Sequence, residues 1–237
     1  MRRFLTVASV ALLFAGLATG GAQAAPPKPA SYVMAQSDLR SEVSGMTVSQ
    51  ARDLQAQIDD QMRKAPGGTQ ISATEISWGN GNVVMEFPVP GEKQAPLTSS
   101  KALQAVATQG PKAAENIAAG FPTGTCYDTG TCQYQKCPYG FRDQWYCLYA
   151  DEGYGGRRLQ WKDAYNFSQG LDAWNFNYQA SGWVNTSQKM VVEVWGPNGD
   201  RLWFEPARDN FFSEPAHSSF VGADANDKAT SFTSYGG

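Results

Sequence analysis

This chain is poor in the residues from which metal enzymes and nucleic-acid-binding proteins are built. It has 237 residues and a single histidine, His217, which excludes zinc sites made from two or three histidines. Its 19 Lys and Arg against 22 Asp and Glu give a net charge of −3, which argues against a basic nucleic-acid-binding face. Charged residues make up only 17% of the sequence, too few for a disordered polyelectrolyte or a coiled coil. The composition favours a globular protein of one domain or two small ones.

Catalytic signatures are also absent. The sequence contains no G-x-S-x-G, no H-E-x-x-H and no phosphate-binding loop. His217 follows Glu214-Pro-Ala in a polar segment, which predicts a solvated loop histidine rather than a catalytic base. Asp151 and Glu152 are adjacent carboxylates that we expect in a solvated hairpin turn. The sequence therefore favours a protein that is not an enzyme.

The one long apolar run lies at the start of the chain. Met1-Arg2-Arg3 precedes an apolar stretch over residues 4–18, and Ala22-Gln23-Ala24 has the small-x-small pattern of a cleavage site. These features predict a secretory signal peptide over residues 1–24, and they favour it over a membrane anchor because the run is short. We expect the mature chain to be extracellular, with no membrane contact after cleavage.

Aromatic residues and cysteines are scarce in the first half of the chain. Of the 29 Phe, Trp and Tyr, 23 lie at or after Tyr127, and all four cysteines lie at or after Cys126. This asymmetry predicts two unlike halves with a boundary before Cys126. We assign residues 25–95 to a small module, residues 96–125 to a linker rich in Pro, Gly, Ala and Gln, and residues 126–237 to a second domain.

The small module has the pattern of a helix followed by a hairpin. Thr47-Val48-Ser49-Gln50 fits a capping box, and an apolar stripe with helical spacing follows it. Runs at residues 71–78 and 82–87 flank Gly79-Asn80-Gly81, which favours a tight turn, and the second run alternates like a half-buried strand. Because its core is small, we expect the module to dock on the second half or to act as a pro-region. The helical stripe consists of Ala51, Leu54, Ile58 and Met62.

The four cysteines form a cluster that predicts disulfides. An even number of cysteines within a short stretch of an exported chain indicates disulfide bonds, and their spacing lacks the close C-x-x-C pair of a zinc site. Four cysteines allow three connectivities. We favour the pairs Cys126–Cys132 and Cys137–Cys147, because short loops close at the smallest entropic cost.

The second half reads as short aromatic and β-branched strands separated by turn residues, and the pattern repeats. Arg158-Leu-Gln-Trp161 is echoed by Arg201-Leu-Trp-Phe204, and residues 177–183 are echoed by residues 226–232. A period of this size indicates a duplicated supersecondary unit. The spacing of the strands suggests an all-β sandwich.

Two motifs in this half resemble the βγ-crystallin family. The spacing of Tyr149, Tyr154 and Gly156 is similar to the family's Greek-key signature, in which a folded hairpin lies over the sheet. Such a turn needs a glycine at positive φ, with aromatic side chains packed under it. The resemblance implies a mainly β fold, a double Greek-key sandwich at the C-terminus.

A second motif resembles the calcium signature of the same family. It comprises two Asn or Asp residues, two variable residues, then Ser or Thr and Ser. The resemblance implies oxygen ligands for calcium, a cation that binds six to eight oxygens, at this motif. Capping of a turn by the same side chains is the alternative. The residues concerned are Asn226, Asp227, Lys228 and Thr230.

The opening of the second half resembles the secreted bacterial metalloproteinase-inhibitor family. Cys137-Pro-Tyr-Gly followed by Cys147-Leu-Tyr149 is similar to the disulfide that precedes the first Greek key in that family. The resemblance covers about 100 residues and implies a non-enzymatic binding protein whose partner is an extracellular protease. The sequence does not determine the oligomeric state, and we favour a monomer. A calcium-binding structural protein and a carbohydrate-binding module are the alternatives.

The inhibitory loop is not assigned by the resemblance. The family's second disulfide-tied loop has no counterpart, because no cysteine follows Cys147. We expect exposed loops at Arg157-Arg158 and at Gly196-Pro197-Asn198-Gly199, either of which could reach a protease cleft. A loop of this kind inhibits when it is rigid before binding, because it then loses little conformational entropy.

Overall fold

The computed structural model describes residues 45–99, 133–138, 145–162, 167–208 and 214–236. The described chain is mainly β, with about 40% strand and one α-helix. No helix in these ranges is both long enough and apolar enough to cross a membrane. The predicted signal peptide, most of the predicted linker and the predicted pair Cys126–Cys132 lie outside the described residues.

Helix α1 (Val48–Lys64) begins where the sequence predicts it. The Gln50 backbone N–H donates to the Thr47 hydroxyl at 3.2 Å, and the Thr47 N–H donates to the Gln50 side chain at 2.8 Å. This capping box satisfies two backbone donors that the first turn leaves free. The apolar stripe buries Ala51, Leu54 and Ile58 against the sheet. The predicted helix is confirmed.

Thirteen strands lie in the described part of the chain. They are β1 (Thr69–Gln70), β2 (Glu75–Trp78), β3 (Val83–Glu86), β4 (Gln133–Tyr134), β5 (Cys137–Pro138), β6 (Trp145–Asp151), β7 (Gly155–Lys162), β8 (Phe167–Gly170), β9 (Gly182–Asn185), β10 (Met190–Trp195), β11 (Arg201–Glu205), β12 (Ala216–Ser218) and β13 (Ser231–Gly236). Short 3-10 helices occupy Gly79–Gly81, between β2 and β3, and Leu171–Trp174.

The strands form two large antiparallel sheets and one small one. The seven-stranded sheet has the order β1-β2-β3-β7-β6-β9-β12, and the four-stranded sheet has the order β11-β10-β13-β8. Strands β4 and β5 pair separately. Strand β3 pairs with β7 along its whole length, so the predicted hairpin continues the sheet made by the later strands.

Strands β6–β9 and β10–β13 form two equivalent halves. In one sheet the order is β7-β6-β9 followed by β12, and in the other it is β11-β10-β13 followed by β8. The first, second and fourth strands of each half therefore lie together. The third strand of each half lies at the edge of the sheet built by the other half.

Reciprocal hydrogen bonds relate the two halves. The Tyr178 N–H donates to the Ala229 carbonyl at 2.7 Å, and the Asp227 N–H donates to the Ala180 carbonyl at 3.2 Å. Tyr178 and Asp227 occupy corresponding positions of the sequence repeat, 49 residues apart by their numbers, and both have positive φ, +59° and +56°. Left-handed backbone is uncommon outside glycine, so its occurrence at both positions marks the same local fold.

A second reciprocal pair follows the same relation. The Ser181 N–H donates to the Tyr149 carbonyl at 2.8 Å, and the Thr230 N–H donates to the Trp195 carbonyl at 2.9 Å. The Ser181 hydroxyl also donates to the carbonyl of Ala150, and the Thr230 hydroxyl to that of Trp195. The predicted duplication is thus visible in backbone contacts as well as in sequence.

One continuous apolar core joins helix α1 to both large sheets. At its centre the Trp161 ring stacks on Tyr146 at 5.0 Å between ring centroids. Its edge contacts are with Trp174 at 5.2 Å and Phe232 at 4.7 Å. Residues from the helix, the hairpin and both halves of the duplication therefore share one buried interior.

The expectation that the second strand of the hairpin is half-buried is wrong. All four residues of β3 are buried, and so is Glu75 on β2. Residues 95–99 lie over the outer face of these strands, where Thr98 is 4% exposed. We call residues 95–99 the covering segment. It removes from water a face that the alternating sequence pattern assigns to solvent.

Candidate functional site

The β6–β7 turn carries the residues of the Greek-key signature. The Tyr149 and Tyr154 rings meet edge to face at 5.3 Å between centroids. Gly156 has φ +68°, and a Cβ placed there would lie 2.8 Å from a carboxylate oxygen of Asp151. The position therefore accepts only glycine without displacing its neighbours.

This turn is held by other parts of the chain. The Gly153 N–H donates to the Ser219 carbonyl at 2.8 Å, and the Gln94 side chain donates to the Gly153 carbonyl at 3.0 Å. The Gly156 N–H donates to the Lys93 carbonyl at 2.8 Å. The β6–β7 turn is thus tied to two other segments of the chain, while Asp151, Glu152 and Gly153 remain exposed, as predicted for the two carboxylates.

The β10–β11 turn, residues 196–200, is the equivalent turn of the other half. It is closed by hydrogen bonds from Gly196 N–H to the Asp200 carbonyl at 2.8 Å and from Gly199 N–H to the Gly196 carbonyl at 3.1 Å. Pro197, Asn198, Gly199 and Asp200 are exposed. Within the described chain, no residue outside this turn donates or accepts a hydrogen bond with residues 196–200 beyond the strand pairing at its base. The predicted loop at residues 196–199 therefore has no hydrogen bond to another loop of the described chain, and its own hydrogen bonds fix its backbone.

The expectation of an exposed loop at Arg157-Arg158 is wrong. The hairpin turn ends before Gly155, so both arginines lie within β7. Arg158 is 1% exposed, because the covering segment lies over it and accepts its hydrogen bonds at the Pro96 carbonyl and the Thr98 hydroxyl, each at 3.0 Å. Neither arginine can enter a protease cleft from this position.

Beneath the covering segment lies a buried charged cluster that sequence reasoning missed. Glu75 and Glu86 are fully buried, and Glu86 lies 3.7 Å from the Arg158 guanidinium. Burial, followed by the nearby Glu75 carboxyl, raises the pKa of Glu86 well above its usual value. Glu75 accepts hydrogen bonds from the Ser99 N–H at 2.6 Å and from the Ser99 hydroxyl. The cluster joins the covering segment to the sheet. Within the described chain its charged side chains are buried from solvent, so a substrate cannot reach them.

The single histidine lies on an edge strand rather than in a loop, which corrects the sequence prediction. His217 belongs to β12 and is exposed, as predicted, with Nε2 at 3.2 Å from the Tyr134 hydroxyl. The same hydroxyl donates to Glu214, and burial together with this carboxylate raises the pKa of Tyr134. The phenol therefore keeps its proton and connects Glu214 with the imidazole on the surface.

The four residues of the calcium motif lie on and just after one turn before β13. The Asn226 amide donates to the Asp227 carboxylate at 2.8 Å, and the Lys228 ammonium donates to the Asp224 carbonyl at 2.6 Å. The Thr230 hydroxyl donates to the Trp195 carbonyl at 3.2 Å. The Asn226 Oδ1 atom is buried and accepts no hydrogen bond from the described residues. The described ranges contain no group of three or more His, Cys, Asp or Glu that could hold a metal ion.

One of the two predicted disulfides is observed. Cys137 and Cys147 are bonded, with 6.0 Å between their Cα atoms, and the bond ties β5 to β6. Its sulfurs lie in a second apolar cluster with Trp145, Tyr149 and Val184 on the outer face of the seven-stranded sheet. This disulfide anchors the entry to the duplicated strands.

Most of the tryptophan side chains are buried in the apolar clusters. Five of the seven are buried, and Trp195 and Trp203 are half-buried. The large apolar side chains that are exposed in the described chain are Leu97, Tyr178, Phe204, Phe220 and Tyr235. An exposed tryptophan row, on which the carbohydrate-binding alternative depended, is thus not found among these residues.

No family model, no curated protein and no solved structure matches this chain. The geometry of the chain itself therefore identifies the candidate site. It is the β10–β11 turn, whose exposed residues 197–200 have no hydrogen bond to another loop of the described chain, whereas the equally exposed β6–β7 turn is hydrogen-bonded to Gln94 and Ser219.

Proposed function

We propose that the chain is a secreted, non-enzymatic binding protein with a βγ-crystallin-type double Greek key, and that it inhibits an extracellular proteinase. The exchange of the third strand between the two sheets and the reciprocal hydrogen bonds support this fold. The disulfide between Cys137 and Cys147, just before the first half, supports the resemblance to the inhibitor family.

The observation that carries the proposal is the difference between the two equivalent turns. Duplication gives the protein two hairpin turns of the same kind, and the β6–β7 turn is hydrogen-bonded to residues 93–94 and Ser219. The β10–β11 turn projects freely. A partner that needs a hairpin turn without hydrogen bonds to other loops therefore meets residues 196–200.

The inhibitory mechanism follows from the rigidity of this turn. Its two internal hydrogen bonds fix the backbone before any partner arrives, and the Arg201–Glu193 ion pair at 2.6 Å lies at its base. Because Arg201 is exposed, that pair adds little stability of its own. A fixed loop loses little conformational entropy in a protease cleft, and that reduces the cost of binding.

An inhibition assay against a thermolysin-like metalloproteinase tests the proposal. We expect the wild type to inhibit at micromolar concentration, and the double variant Pro197→Glu, Asn198→Glu to inhibit at least about tenfold less, as for loss of a central contact. The matched control is Glu152→Gln, at an exposed position of the β6–β7 turn, which should leave inhibition unchanged. No inhibition by the wild type, or an equal loss in the control, contradicts the proposal.

Calcium binding is a second candidate function. It is favoured by the buried Asn226 Oδ1, which lacks a donor within the described residues, because such an oxygen suits a cation. Calorimetric titration of the wild type with calcium should release or absorb heat, and Thr230→Ala should reduce the affinity. Thr233→Ala, on strand β13 and outside the motif, serves as the control. A wild type that gives no heat rules this function out.

A further inference from the structure

A small polar cleft lies where helix α1 meets β7 and the turn that follows the Leu171–Trp174 helix. Its volume is about 320 Å³. Its floor is the Arg157 side chain, which is half-buried, with Phe87 beside it. The cleft lies between helix α1 and the first half of the duplication, and it shares no residue with the β10–β11 turn.

The Arg157 guanidinium has only neutral partners in this cleft. Its Nη1 donates to the Gln61 side-chain oxygen at 2.6 Å, and its Nη2 donates to the Gln179 side-chain oxygen. The guanidinium carbon lies 5.6 Å and 5.9 Å from the ring centroids of Phe87 and Phe176. Among the described residues no carboxylate lies within ion-pair distance of it. Burial lowers the pKa of Arg157, and the more distant carboxylates of Asp60 and Asp151 offset this effect only in part.

Two donors of Arg157 remain available to a ligand. A guanidinium carries five N–H groups. The two on Nη1 donate to the Gln61 oxygen and, weakly, to the Met85 sulfur at 3.8 Å, and one on Nη2 donates to the Gln179 oxygen. The Nε–H and one Nη2–H have no protein acceptor in this part of the chain. A carboxylate accepts two hydrogen bonds from one guanidinium, and this is the strongest pairing that such a group makes.

The orientation of Arg157 is fixed by a buried amide. Gln61 is 1% exposed, and its Nε2 donates to the Trp174 carbonyl at 2.6 Å, so its oxygen is held toward the cleft. That oxygen also accepts from the Asn175 amide at 3.2 Å. The guanidinium is thus positioned before any ligand binds, which lowers the entropic cost of binding.

The rest of the lining is amide-rich, and its two charged residues, Asp60 and Lys64, balance each other, so the net positive charge of the cleft comes from Arg157. Gln57, Asn175 and Gln179 supply side-chain amides, which can both donate to and accept from hydroxyl groups. Asp60 also lines the cleft, but it is paired with Arg63 at 3.0 Å and Lys64 at 2.8 Å. Its repulsion of an anion is therefore offset locally.

We propose that this cleft binds a small hydroxylated carboxylate, with the chemistry of a sugar acid. The carboxylate is held by the two available N–H groups of Arg157, and the hydroxyls are held by the amides of Gln57 and Asn175. This binding is independent of proteinase inhibition, because the cleft and the β10–β11 turn share no residue.

Titration of the full chain with D-glucuronate tests the proposal, with D-glucose as the uncharged control and sulfate as an anion without hydroxyls. Calorimetry gives the affinity, and the NMR resonance of the Arg157 Nε–H reports contact at the residue itself. We expect glucuronate to bind and to shift this resonance, and both controls to bind more weakly. Arg157→Lys, which keeps the charge but loses the paired donors, should weaken binding at least about tenfold.

Matched variants separate the cleft from a general charge effect. Arg52→Lys, at an exposed position of the same helix, should leave the affinity unchanged, and Gln57→Ala should weaken binding less than Arg157→Lys does. Absence of glucuronate binding to the wild type at millimolar concentration overturns the proposal. So does equal affinity for sulfate and glucuronate, or an Arg157 Nε–H resonance that does not move on binding.

Discussion

Replacing Trp161 with alanine is expected to lower the free energy of unfolding by about 3–5 kcal/mol. Trp161 is 1% exposed and contacts Tyr146, Trp174 and Phe232 at the centre of the core. The change removes buried apolar area and leaves a cavity that the surrounding strands can only partly fill. Denaturant unfolding followed by circular dichroism gives the difference directly.

Two variants calibrate this result. Trp161→Phe keeps most of the ring volume and removes an indole N–H that is buried without a partner among the described residues, so it should cost much less than alanine. Phe204→Ala, at a side chain that is 45% exposed, should change stability by less than about 1 kcal/mol. Equal losses at Trp161 and Phe204 would contradict the central position of Trp161.

The shape of the same unfolding curve tests whether the core is shared. Helix α1 and both large sheets belong to one apolar cluster. We therefore expect the helical signal and the tryptophan fluorescence to be lost in one transition, even in the Trp161→Ala variant. Loss of the helical signal at a lower denaturant concentration would show that the helix and hairpin unfold separately.

Replacing Glu86 with glutamine is expected to reduce the pH dependence of stability. Burial and Glu75 raise the pKa of Glu86 in the folded chain, whereas the unfolded chain releases this proton near the ordinary value of 4.5. Above that pH the folded state holds a proton that the unfolded state has lost, so the stability of the wild type falls as pH rises toward the folded pKa. Glutamine has no proton to lose, and the fall should be smaller.

Unfolding curves at about pH 5 and about pH 8 measure this difference. Glu205 is a second buried carboxyl whose pKa burial raises, so the slope should decrease in Glu86→Gln without vanishing. The matched control is Glu92→Gln at an exposed position, for which the wild-type slope should persist. A steeper fall in Glu86→Gln than in the wild type would show that Glu86 is ionised when folded.

The parts of this fold that could be predicted are those specified by local sequence. The capping box at Thr47 and the apolar stripe behind it define helix α1 without reference to the rest of the chain. The echo between residues 177–183 and 226–232 indicated duplication, because equivalent turns need the same residue types. The pair Cys137–Cys147 followed from the short loop between the two cysteines.

The parts that could not be predicted depend on segments distant in sequence. In the sequence, Glu86 has the position of a solvent-facing residue of an alternating strand. Nothing near it in the chain indicates that residues 95–99 will cover that face. Arg158 was expected in an exposed loop for the same reason, although one signal was available. Two adjacent arginines directly after a tight turn can lie on opposite faces of a strand, and the strand periodicity would have placed them there.

The β10–β11 turn illustrates a different limit. Its glycines predict a turn, but its importance comes from a comparison that requires three dimensions. Only the structure shows that residues 93–94 and Ser219 hydrogen-bond to the other turn of the pair. The sequence predicts two similar hairpin turns and does not indicate which of them would bind a partner.

The exchange of strands between the two halves constrains the order of events in biosynthesis. Strand β13 lies inside the four-stranded sheet, between β10 and β8, and β12 lies beside β9. The four-stranded sheet cannot close until residues 231–236 have left the ribosome, because β13 joins β10 to β8, whereas the seven-stranded sheet lacks only its edge strand β12 once β9 has been made. Strand β8 therefore has no neighbour in its sheet until the last strand of the described chain has been made.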